Sequence, residues 1–89
     1  MNKRDLKKTI NYVCSELFAE CVAASLYSGH ANEENVNALL ASILNTHSDY
    51  LQRVSHPEPG LKPKLYYQHL VKEFNKCVGE IIDQISYNH

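Results

Sequence analysis

The 89-residue chain contains no tryptophan and only three residues each of glycine, proline and cysteine. So little glycine and proline excludes collagen-like and proline-rich linker classes. The cysteines, Cys14, Cys21 and Cys77, are odd in number and form no Cys-x-x-Cys pair. A disulfide framework is therefore a poor reading, and a reducing compartment fits better. Long apolar runs are also missing. The best candidate, residues 10–28, carries Glu16 and Glu20, whereas a membrane span needs about 20 mostly apolar residues. Asn11 and the same glutamates interrupt the hydrophobic stretch that a cleaved signal would place behind the basic start. A cytoplasmic protein is expected, with no membrane contact. Charge of one sign is lacking too, since the net formal charge is −1. Neither a basic nucleic-acid coat nor an acidic disordered tail describes such a chain, and its length leaves room for one core only.

What is present is helical periodicity, in three blocks. Residues 5–28 repeat Leu6, Ile10, Val13, Cys14, Leu17, Phe18, Cys21 and Ala24 at spacings of three and four, which build one helix face and no strand face. Asp5 is expected to cap this helix. Lys7 and Lys8 then lie near the positive end of its dipole, at a cost of about a few tenths of a kcal/mol. Gly29 suits its closure. Asn32 is the expected cap of a second helix over 33–54, which Glu33 and Glu34 favour electrostatically. Its stripe runs Val36, Leu39, Leu40, Ile43, Leu44, His47, Tyr50, Leu51 and Val54. The segment from Ser55 to Leu61 holds Pro57 and Pro59 and ends the helix. A third helix over 63–87 opens on Pro63, whose missing N–H needs no partner there. It presents Tyr66, Leu70, Phe74, Cys77, Val78, Ile81, Ile82 and Ile85. Gly79 is either a cost of about 1 kcal/mol on an exposed surface or the mark of a close helix contact.

Helices of these lengths run about 33–38 Å, and short linkers make consecutive ones antiparallel. The expected fold is all-α: residues 1–89 form a single domain, an antiparallel up-down-up three-helix bundle. The apolar stripes of the first and third helices are wider than one bundle needs, because Val22, Tyr67 and Val71 extend them. Surplus apolar surface marks association faces, and a two-fold dimer buries one patch twice. The bundle is therefore expected to be completed by dimerisation. The alternative is that long helices crossing at an angle cover the extra width within one chain.

Four groups of polar residues interrupt the pattern. Matching levels about linkers centred near residues 30 and 58 brings Cys14, His47 and His69 to one layer. Thiolate and imidazole are credible transition-metal ligands, with water or Glu73 as a fourth. No His-Glu-x-x-His or repeated Glu-x-x-His motif supports this metal site, and the plainer reading makes His47 an interhelix histidine and leaves His69 in water. Cys21 and Cys77 fall at similar depth by the same construction. They read as buried small hydrophobes, or as a redox pair should their sulfurs meet. Glu16 and Glu20 are four residues apart, a spacing open to acid–base chemistry but more often simply solvated. His30, His56 and His89 read as exposed, and Ser28-Gly29-His30 is too short to cradle phosphate.

No catalytic set assembles from these residues and no cofactor is implied, so the chain is read as a non-enzyme. The leading expectation is a small helical interaction or scaffold protein acting as a homo-oligomer or with a helical protein partner. The alternatives are a metal- or small-ligand-binding bundle and a nucleic-acid-binding regulator. Lys3, Arg4, Lys7 and Lys8 could touch phosphates in the last case, but no helix carries a basic recognition face.

Overall fold

At the N-terminus Asn2 performs the capping role. Its side-chain oxygen accepts the Asp5 backbone N–H at 2.8 Å, and its carbonyl accepts the Leu6 N–H at 3.0 Å. The computed structural model describes residues 2–28 and 33–87. Helix α1 spans Lys3–Ser28, α2 Glu33–Ser55 and α3 Pro63–Tyr87. The first helix thus starts two residues earlier than its apolar period indicated. Asn2 sits three residues before Asp5, the spacing at which a capping side chain reaches a free N–H. Asp5 occupies the first turn, where its charge suits the dipole. Gly29, His30, Asn32 and His89 lie outside the described residues.

The third helix begins as expected. The carbonyl of Lys62 accepts the Tyr66 N–H at 3.0 Å, which makes Lys62 the cap and Pro63 the first helical residue. Gly60 turns the preceding loop with φ +98°, a conformation that glycine adopts without a side-chain penalty. Gly79 is exposed, and a Cβ there would meet nothing within 4 Å. No close helix contact requires it.

Each helix turns its stripe inward, and no strand occurs among the described residues. One continuous core joins Leu6, Ile10, Cys14, Leu17 and Cys21 of α1 to Leu39, Ile43, Tyr50 and Val54 of α2. Leu70, Phe74, Ile81 and Ile85 of α3 complete it. Ile10, Ile43 and Val54 are fully enclosed, and burial of each such side chain stabilises the fold by about 1.5–3 kcal/mol. His47 reaches Asn11, while Arg53 reaches Glu73 and Tyr50 reaches Cys77. Phe18 shares a hollow with Ile43 and Leu44, so on both sides of α2 successive contacts run in opposite sequence directions, both neighbouring helix pairs are antiparallel and the bundle runs up, down and up.

The register between α2 and α3 departs from the level-matching expectation. Pairing of Arg53 with Glu73 and of Tyr50 with Cys77 puts the level of His47 near residue 79 of α3. That is about ten residues, or about 15 Å of helix, beyond His69. Residues 56–62 are the cause. They are not helical, and non-helical chain advances up to about 3.3–3.6 Å per residue against 1.5 Å in a helix. The chain therefore runs past the end of α2 before α3 begins. The molecule is 49 × 18 × 15 Å, longer than the roughly 39 Å of its longest helix.

Candidate functional site

Two adjacent tyrosines lock this register. The Tyr66 hydroxyl donates to the Arg53 carbonyl at 2.9 Å and the Tyr67 hydroxyl to the Val54 carbonyl at 3.2 Å. Both carbonyls belong to the last turn of α2, whose acceptors have no partner within the helix. The two rings meet edge to face, 5.5 Å between centroids. Burial, followed by the charge of Glu58, raises the Tyr66 phenol above its ordinary value. Sequence reading took Tyr66 and Tyr67 for apolar stripe residues and missed this capping role. The available signal was a tyrosine pair one turn after a proline-bounded loop.

The proposed metal layer separates into two places. Cys14 and His47 share a hollow of about 300 Å³ between α1 and α2, with Ser15, Phe18, Ile43 and Leu44. His47 is half-buried there and its Nε2–H donates to the Asn11 side-chain oxygen. Burial pushes the Cys14 thiol up, away from the thiolate a metal would need. His69 lies instead in a hollow of about 510 Å³ with Arg53, His56, Glu58, Leu61 and Glu73. The displaced register carries it there. Glu73 is engaged by Arg53 at 2.8 Å, and Arg53 also holds Asp49 at 3.2 Å. Among the described residues no group of three His, Cys, Asp or Glu is placed to hold a metal ion.

The cysteines are all free. Cys77 meets the Tyr50 hydroxyl at 3.5 Å, a level that α1 fills more than two turns before Cys21. The two sulfurs therefore do not face one another. Burial raises the Cys21 thiol. Glu16 and Glu20 are both exposed. Glu16 accepts a hydrogen bond from Tyr12, which raises that phenol's pKa. Among the described residues the buried titratable side chains are the thiols of Cys14 and Cys21 and the phenol of Tyr50, and no charged side chain is buried. No helix among them is long and apolar enough to cross a membrane.

The surface feature that stands out is the seam between α1 and α3, the thinnest of the three helix contacts. Asn11, Cys14 and Phe18 turn toward α2, leaving the opposite edge of α1, with Val13, Glu16 and Glu20, beside α3. Val13, Val71 and Val78 are half-buried along the seam and Ile82 is 43% exposed. At one end it widens into a groove of about 680 Å³, where Leu6, Tyr67 and Val71 form the apolar floor beside Lys64 and Lys72. Leu44, also from the apolar stripes, is 55% exposed on the far side of α2. The chain matches no known protein-family model, no curated protein and no solved structure.

Proposed function

We propose that this chain is a cytoplasmic helical interaction protein that acts as a homo-oligomer and carries no catalytic activity of its own. The observation behind this reading is the α1–α3 seam, where Val13 of α1 and Val71, Val78 and Ile82 of α3 form an apolar row left partly open to water. Exposed apolar surface arranged in one row costs solvation free energy in the monomer, and pairing like faces removes it from water twice. Three unpaired thiols suit a reducing compartment. The test is sedimentation equilibrium across a concentration series. A reversible increase to twice the 10.2 kDa chain mass supports the reading, and a monomer at every concentration overturns it.

A second reading rests on the hollow lined by Phe18, Leu44, Cys14 and His47. Its volume of about 300 Å³ reaches the lower bound of small-ligand pockets, and the lining suits a small apolar molecule with one polar group. Native mass spectrometry of protein purified without denaturation tests it: a retained small molecule supports a carrier, and a bare chain argues for the interaction role.

A further inference from the structure

The two ends of the bundle differ in charge. Among the described residues, 2–12 and 47–80 carry a formal +4, and 13–28, 33–46 and 81–87 carry −5. The fold gathers each set at one end, because α1 and α3 run parallel and α2 returns between them. The N-termini of α1 and α3 add partial positive charge to the basic end, and the C-terminus of α2 offsets one of them.

Resting on the self-association reading above, we infer that a second copy of this chain covers the α1–α3 seam side by side and antiparallel, each basic end against its partner's acidic end. Three arrangements compete. End-to-end stacking joins opposite charges but has only the 18 × 15 Å ends to bury, well below the roughly 800 Å² per partner of a stable interface. Parallel side-by-side pairing offers the 49 Å length but sets like charges within a Debye length of about 8 Å. Antiparallel pairing uses the same length, sets opposite charges against one another and closes on itself with two-fold symmetry.

The register follows from the seam. Asn11 of α1 and Glu80 of α3 lie at one level near the middle of the bundle, as the Asn11–His47 and Tyr50–Cys77 contacts fix it. Glu20 is nine residues from this level toward one end, and Lys72 is eight residues from it toward the other. A two-fold axis through the level brings Lys72 of each copy opposite Glu20 of its partner. Lys72 is exposed beside Val71 at one end of the apolar row, and Glu20 is exposed on α1 beyond Ile82 at the other.

The experiment compares Lys72→Glu, Glu20→Lys and their equimolar mixture by sedimentation equilibrium, with circular dichroism confirming that each folds. Either variant alone is expected to dimerise about tenfold more weakly, because each homodimer contains two like-charge contacts. The mixture is expected to recover wild-type affinity as a heterodimer. Pulsed electron resonance on a spin-labelled side chain at position 62 then reads orientation. Separations approaching the 49 Å long axis are expected, against values near the 18 Å width for a parallel pair. A wild-type monomer at all concentrations sinks self-association itself. A wild-type dimer whose affinity ignores both reversals, or whose labels lie close together, leaves self-association standing and overturns the antiparallel seam.

Discussion

Replacing Tyr50 separates packing from hydrogen bonding in the centre of the bundle. Its side chain is 4% exposed, its ring meets Phe74 edge to face at 5.2 Å, and the Arg53 guanidinium sits 5.0 Å from the ring centroid. Its hydroxyl has only the Cys77 sulfur, at 3.5 Å, a weak partner whose loss leaves little unsatisfied polarity behind. Tyr50→Phe is therefore expected to change stability by less than about 1 kcal/mol. Tyr50→Ala removes the ring and leaves a cavity, costing about 3–5 kcal/mol. Roughly 4–13 kcal/mol is the whole stability expected of a chain this long, so the alanine variant approaches the unfolding threshold. A double-mutant cycle with Phe74→Leu is expected to show about 0.5–1.5 kcal/mol of ring–ring coupling. The pH dependence adds an independent reading. Burial first, then the bond to Cys77, raises the Tyr50 phenol above its ordinary 10.0, so above pH 10 the unfolded chain gives up a proton that the folded chain keeps. Stability therefore falls with rising pH there, by up to about 1.4 kcal/mol per pH unit from this group, and Tyr50→Phe flattens that portion of the curve. Urea denaturation followed by circular dichroism supplies all of these values. A phenylalanine cost above about 2 kcal/mol, beyond a typical net hydrogen bond, or an alanine cost below about 1 kcal/mol, short of any buried-ring deletion, would refute the packing argument.

The two described glycines predict opposite outcomes from one substitution. Gly79→Ala, in open helical space, is expected to stabilise by about 0.5–1 kcal/mol, whereas Gly60→Ala, at φ +98°, is expected to destabilise by about 1 kcal/mol; thermal melts of both distinguish them. Burial raises the Cys14 and Cys21 thiols above 9.0, so stability is full below that pH and falls above it; replacing either by alanine should lessen the slope in urea titrations between pH 8 and about 10. Ile82→Asp is expected to abolish self-association with the helical signal intact, because the side chain is 43% exposed in the single chain; sedimentation alongside circular dichroism checks both halves. Added zinc is expected to leave the melting temperature unchanged, since the described residues assemble no three-ligand set; a stoichiometric upward shift would contradict that placement of Cys14, His47 and His69.

The helices were legible in the sequence because their apolar periods are long and their breakers strong. Pro57, Pro59 and Pro63 place the second boundary, and the third helix begins where Pro63 permits. The first helix began earlier than expected because Asn2, a polar residue outside the apolar period, supplies the cap. Cys14 and His47 line one hollow between α1 and α2. His69 was misplaced by treating the second connection as a symmetric hairpin, whereas an extended proline-containing loop carries the chain onward before it turns. No residue pattern states that axial offset. It is fixed by Tyr66 and Tyr67 reaching the last carbonyls of α2, a tertiary contact that periodicity does not encode. The width of the third-helix stripe did carry through, for Ile82 stands exposed at its margin.

Small-angle X-ray scattering over a concentration series measures mass and shape together. The single chain has a Cα radius of gyration of 14.6 Å and a long axis of 49 Å. With rising concentration, forward scattering per unit mass should double while the greatest dimension stays close to that of one chain. Forward scattering that never rises, or a dimension that doubles along with it, would contradict two copies lying flank to flank.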